Sequence, residues 1–149
     1  MTATTTASQE LSLQLAPNIC FYGRAIEALD FYAAVLGGTY NALRFSEGPD
    51  NCNVPPDRVN DVMHAEFDAP GIRFMANDGM DRDVRTGGPI ALTLSGTDVE
   101  KGKRIFEALS EGGTIISPLE PQFWGALFGL VTDRFGIEWM INVGTGPKQ

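Results

Sequence analysis

The chain has 149 residues, 43% hydrophobic and 20% charged, which suits one globular domain with a buried core and leaves no room for a second of full size. Its net charge is −8, with 11 Lys+Arg against 19 Asp+Glu, so it lacks the basic face that a nucleic-acid binder needs. No apolar run approaches the roughly 18 residues of a membrane helix.

In chain order, residues 1–10 are rich in Thr, Ser and Ala, carry no positive charge and read as a tail, not as a secretory signal. The first module is expected over 11–78. It opens with an apolar stretch, Leu11 to Tyr22. A helix follows over Arg24 to Leu36, because Ile26, Leu29, Ala33 and Leu36 recur at spacings of three and four. Gly37-Gly38 ends it, since glycine takes the left-handed cap without a Cβ clash. Strands are expected at Thr39 to Phe45, Val62 to Asp68 and Ile72 to Ala76. The proline-bearing segment Ser46 to Asn60 reads as a loop.

A charged, glycine-rich linker over 79–88 leads to a second module, 89–144, and residues 145–149 read as a tail. The second module repeats the order. A strand is expected at Ile90 to Leu94. Thr97 and Glu100 form a T-x-x-E capping box, which starts a helix bearing Val99, Phe106 and Leu109 on one face. Gly112-Gly113 ends it. Strands follow at Thr114 to Ser117, Trp124 to Thr132 and Gly136 to Val143, and Asp133 caps the turn before the last. The fold class is therefore α+β: two βαβββ modules forming a curved mixed sheet with a concave cavity.

Two strands carry candidate site residues. Met63, Ala65 and Phe67 should face the helix, which puts His64 and Glu66 together on the other face, with Cα atoms about 6.5–7 Å apart. His64 is the chain's sole histidine. A histidine beside a carboxylate can serve as a general base near neutral pH. In the last strand Ile137, Trp139, Ile141 and Val143 form an apolar row. Glu138 and Met140 fall on the opposite row, with Thr93 beside them. Trp124 and Phe128 could supply aromatic contact area in a pocket, or simply core.

Four segments carry a family resemblance: A-I-E-A-L-D-F-Y-A-A-V-L-G-G from Ala25, V-M-H-A-E from Val62, F-E-A-L-S-E-G-G-T from Phe106 and F-W-G-A-L-F-G-L-V-T-D-R-F-G-I-E-W-M-I-N from Phe123. Together they resemble the PhnB-like branch of the vicinal-oxygen-chelate (glyoxalase/bleomycin-resistance/dioxygenase) superfamily. The resemblance implies paired βαβββ modules and a homodimer. In metal-dependent members it implies one divalent ion held by His, Glu or Gln from four strands. In non-metal members it implies sequestration of bulky drugs.

Carried onto this chain, the four ligand positions fall on Pro17, Met75 (or Phe74, one residue off), Pro89 and Met140. None offers the oxygen or nitrogen donor that a divalent site needs, and thioether sulfur is too soft. The expectation is a small-molecule binder without the usual metal, with His64 and Glu66 as acid–base candidates. Its pocket would be lined by Trp124, Phe128, Thr93, Glu138, Met140 and Met75. The alternatives are a drug-sequestering protein and a divalent-metal lyase, isomerase or dioxygenase whose relocated ligands would be His64, Glu66 and Glu138. Methyl transfer is disfavoured, because no glycine-rich loop follows a first strand. Neither nucleic acid nor membrane is expected as a partner. Cys20 and Cys52 lack CxxC spacing, which favours reduced thiols and a cytoplasmic setting.

Overall fold

The structure, a computed structural model, describes residues 13–79 and 87–144. The expected tails and most of the linker lie outside the described residues. The first module contains β1 (Asn18–Cys20), α1 (Ala25–Leu36), β2 (Thr39–Arg44), β3 (Val62–Ala69) and β4 (Ile72–Asn77). The second contains β5 (Leu92–Gly96), α2 (Val99–Ser110), β6 (Thr114–Pro121), β7 (Ala126–Thr132) and β8 (Glu138–Gly144). Short 3-10 turns fill much of the segment between β2 and β3.

The strand orders are β1-β4-β3-β2 and β5-β8-β7-β6, so the modules repeat one topology. In each sheet the first strand runs parallel to the fourth, and the other pairs are antiparallel. A strand–helix crossover is what lets the first and fourth strands lie parallel. The expected α+β class and repeated βαβββ order are observed, as two separate four-stranded mixed sheets, here termed sheet A and sheet B.

The helix-covered faces of both sheets share one core. Leu29, Tyr32 and Leu36 of α1 join Phe67 of β3 and Phe74 of β4, and the same cluster takes in Phe106 of α2 and Val131, Trp139 and Ile141 of sheet B. Burying each such side chain contributes about 1.5–3 kcal/mol. Two guanidinium groups cross the seam between modules: Arg24 lies 4.5 Å over the Phe135 ring and Arg134 lies 4.3 Å over Phe31.

Several boundaries differ from those expected. The opening apolar stretch yields only the three-residue β1, because Pro17 has no N–H to donate. Its carbonyl still accepts from the Met75 amide at 2.8 Å. Phe45 leaves β2 and is buried in a 3-10 turn. The strand expected from Ile90 runs instead from Leu92 to Gly96, and Ile90 is exposed. Trp124 sits in the turn before β7 rather than inside the strand. The cap of α2 is Asp98, whose carboxylate accepts from the Lys101 amide at 3.1 Å, rather than Thr97. β5 runs on to Gly96, so the helix start moves one residue along, and aspartate caps as well as threonine.

Helix α1 ends as expected. Gly37 has φ 77°, and its N–H donates to the Ala33 carbonyl. Gly102, inside α2, has another purpose. A Cβ there would lie 2.7 Å from Val143 Cγ2, so the missing side chain lets the helix sit down on β8.

Candidate functional site

Strand alternation leaves one face of each sheet without a helix. Residues paired across strands point to the same side, so the registers define rows on these open faces. In sheet A the central row is Asn41, Glu66, Met75 and Asn18. In sheet B the equivalent row is Ser117, Leu130, Met140 and Thr93. Met75 and Met140 thus hold corresponding places, as expected. The residues opposite them are Asn18 and Thr93. Pro17 and Pro89 fall outside the strands, because pairing resumes only where backbone N–H groups are available.

The open face of sheet A is ionic. His64 Nε2 lies 3.5 Å from Glu66 Oε2. Arg73 bridges Glu66 at 3.3 Å and Asp68 at 3.2 Å. These groups are half exposed, so water screens them and each contact contributes about 0–1 kcal/mol. Asn77 donates from Nδ2 to Asn18 Oδ1 at 3.0 Å, tying β4 to β1 on the same side. Ala65 and Phe67 point into the core, as expected. Met63 is only half buried and takes a 3.4 Å contact from the Cys52 thiol, next to a register shift at Leu43/Arg44.

The open face of sheet B is mixed, with Thr93, Ser95, Ser117, Glu120 and Glu138 around an apolar patch. Phe128 and Leu130 of β7 stand beside Asn142 and Met140 of β8. Trp124 reaches over from the preceding turn. Its Nε1 donates to Asn142 Oδ1 at 3.3 Å, and its ring meets Phe128 edge-on, 6.0 Å between centroids. Glu138 is half buried at the far end of β8, level with Thr132. Trp124, Phe128, Thr93, Met140 and Glu138 therefore share one sheet face. His64, Glu66 and Met75 share another, on sheet A.

The metal alternative required His64, Glu66 and Glu138 to converge. Among the described residues no three His, Cys, Asp or Glu side chains are grouped as a metal site. The first two stand on β3 and the third on β8. Among the described residues these three therefore do not form one donor set.

A cleft of about 680 Å³ lies elsewhere. It runs between the β1–α1 turn, with Cys20, Tyr22 and Arg24, and the β7–β8 turn, with Phe135 and Glu138. Of the sequence candidates it contains only Glu138. A smaller groove of about 300 Å³ lies between the β3–β4 turn and the start of α2.

Two buried carboxylates support these surfaces, and sequence reasoning gave neither its full place. Asp78, 2% exposed, accepts from the amides of Gly23 and Ala25 through Oδ1 and from that of Val62 through Oδ2. It fixes the start of α1 and of β3. Asp133 does cap its turn, through Oδ1 to the amides of Phe135 and Ile137. Its Oδ2 also accepts from Tyr32 Oη at 2.5 Å and Trp139 Nε1 at 2.9 Å, which joins the two modules. Burial, and then the neighbouring Asp133 charge, push the Tyr32 hydroxyl well above the usual tyrosine range.

Topology and open faces together define a glyoxalase-type fold of paired βαβββ modules, and solved members of the glyoxalase/bleomycin resistance/dioxygenase superfamily share it. Residues 13–142 match the family model described as 3-demethylubiquinone-9 3-methyltransferase. The chain belongs to that family. Protein YjdN of Escherichia coli (strain K12) is 32% identical over 142 residues, covering 88% of this chain and 95% of YjdN. The crystal structure of PA1353 from Pseudomonas aeruginosa superposes with a TM-score of 0.78 at 36% identity, covering 89% of this chain and 98% of that one. PhnB protein from Bacillus cereus gives 0.74 at 23% identity, covering 89% and 100%, and bears on the fold alone.

Proposed function

We propose that this chain binds a small molecule without a divalent metal, and that it works as a homodimer in the cytoplasm. The observation that carries this reading is the aromatic pair on sheet B. Trp124 is held by its bond to Asn142 and packs edge-on against Phe128, beside Met140, on a face that no helix covers. Aromatic side chains in a recess supply contact area to an organic ligand. A second copy, setting its ionic sheet A against this face, would turn two open surfaces into a cavity. Free Cys20 and Cys52 suit a reducing compartment. No helix among the described residues is long and apolar enough to cross a membrane.

Methyl transfer, which the family's description names, has little support here. A dinucleotide-type or nucleoside-type cofactor fold places a glycine-rich turn between a parallel strand and a helix. In this chain Gly37 and Gly38 follow α1, and the sheets are mixed four-stranded ones.

The test is a fluorescence and thermal-shift screen of planar organic compounds on metal-free protein. Binders should quench Trp124, and Trp124→Ala should weaken them at least tenfold. A binder whose affinity survives Trp124→Ala would place the site elsewhere, with the 680 Å³ cleft next in line. A near-stoichiometric divalent ion in protein purified without chelator would overturn the metal-free reading.

A second reading, acid–base chemistry, rests on the 3.5 Å approach of His64 to Glu66. Both side chains are half exposed, so His64→Ala should change melting by no more than a degree or two, the equivalent of about 0.5 kcal/mol. Ligand affinity or turnover should fall clearly. The acid–base role is lost if melting drops while the ligand response stays intact.

A further inference from the structure

We propose that the groove between the β3–β4 turn and the start of α2 binds a single aromatic ring carrying a carboxylate, at a site separate from the open face of sheet B. The groove holds about 300 Å³ and is lined by Ile72, Leu94, Ile105, Ile141 and Val143. That volume is at the small end of ligand sites.

The internal repeat indicates what this groove is shaped to take. The two hairpins match residue for residue: Asp68-Ala69-Pro70-Gly71-Ile72 joins β3 to β4, and Asp133-Arg134-Phe135-Gly136-Ile137 joins β7 to β8. Gly71 and Gly136 both take a positive φ, 76° and 87°. Pro70 therefore stands where the second hairpin has Phe135. Strand register gives a second match. Asn18 pairs with Met75 as Thr93 pairs with Met140, and three residues further along stand Phe21 and Gly96.

In one seam Phe135 and Phe21 are both buried, edge to face with 5.9 Å between ring centroids, and Arg24 lies 4.5 Å over Phe135. In the other seam both rings are missing. Pro70 and Gly96 are exposed, and a Cβ at Gly96 would have no atom within 4 Å. The groove thus corresponds to space that two rings occupy in the other half of the molecule, and an aromatic ring is the shape that fits it. The charge at the rim selects the substituent. Lys101, on the first turn of α2, lines the groove, and its ammonium has no ion-pair partner among the described residues. The neighbouring Glu100 pairs with Lys103 instead. Asp98, the other charge on the rim, is held to the helix, where its Oδ1 accepts from the Lys101 amide. A carboxylate on the ring meets an unpaired cation, at an exposed place where an ion pair adds only modestly.

Titration of phenylacetate into the isotope-labelled full chain, followed by amide chemical shifts, tests this. Saturable shifts should centre on Ile72 and on Ser95 to Lys101. Phenethylamine, with a similar ring and the opposite charge, should bind about threefold more weakly, and Lys101→Gln should abolish that preference. Gly96→Leu and Pro70→Phe put side chains back into the two empty places. Gly96 does not have a positive φ, so leucine suits its backbone. Each variant should weaken phenylacetate by about tenfold or more and melt no lower than wild type. Trp124→Ala should leave the affinity unchanged, which keeps this site distinguishable from the face of sheet B. The inference is overturned by an absence of saturable shifts at the groove, by full affinity in both filled variants, or by a tenfold loss in Trp124→Ala. Equal affinity for the acid and the amine overturns the assignment of the carboxylate to Lys101.

Discussion

Asp133→Ala should lower the melting temperature by about 10 °C or more. The carboxylate is 3% exposed and accepts from Tyr32 Oη, Trp139 Nε1 and the amides of Phe135 and Ile137. Alanine leaves all of these donors without an acceptor in the core. An unsatisfied buried donor costs about 1–3 kcal/mol, and the deeply buried Tyr32 and Trp139 alone bring the loss to roughly 3–5 kcal/mol. At about 3 °C per kcal/mol for a chain of this size, the melting shift follows. Calorimetry reads it directly, and a loss under about 1 kcal/mol would mean that the bonds between modules contribute little.

The same network sets an alkaline limit. The Tyr32 hydroxyl holds its proton in the folded state far above the tyrosine range, while in the unfolded chain it titrates near the ordinary value of about 10. Above that pH the unfolded state binds fewer protons than the folded one, so stability falls as pH rises. Below it Tyr32 adds no pH dependence. Tyr32→Phe should therefore flatten the decline above about pH 10, measured by denaturant unfolding across the alkaline range. An unchanged alkaline limb would remove Tyr32 as its source.

Local patterns carried most of the fold into the sequence. The three-and-four spacing of Ile26, Leu29, Ala33 and Leu36 marked α1 to within a residue, and Gly37 marked its end. Alternation sorted β8 and most of β3: Phe67, Trp139 and Ile141 are buried, while His64, Glu66, Glu138 and Met140 lie on open faces; Met63, expected in the core row, is only half buried, because the register shift beside it buries Val62 instead. Where two patterns compete, sequence reasoning slipped. Around Pro17, Pro89 and Trp124 apolar residues suggested strand, but missing N–H groups and the Trp124–Gly125 turn delayed it. The site was less legible for a different reason. A side chain's own neighbours say which face it joins, but not which other face stands opposite. Glu138 and His64 both read as concave, yet they belong to different sheets. Asp133 read as a turn cap, and nothing nearby in the sequence points to Tyr32, 101 residues away.

Asp78 shows the same limit and supports a prediction of similar weight. Helix α1 begins after Arg24, which offers no side-chain cap. The acceptor comes instead from the end of β4: Asp78 Oδ1 lies 2.8 Å from the Gly23 amide and 2.9 Å from that of Ala25, and Oδ2 lies 2.9 Å from that of Val62. One buried side chain thus supplies the helix cap and sets where β3 starts relative to β4. Asp78→Ala should cost about 2–4 kcal/mol, the penalty for stranding buried backbone donors together with a lost cap. Asparagine separates the two roles. Its single oxygen can face Gly23 and Ala25 or face Val62, and its amide then points a donor at the remaining donor. Asp78→Asn should fall between wild type and Asp78→Ala, with faster amide exchange confined either to the first turn of α1 or to the start of β3. Uniform loss of protection in both would mean that Asp78 acts through its charge rather than through these three bonds.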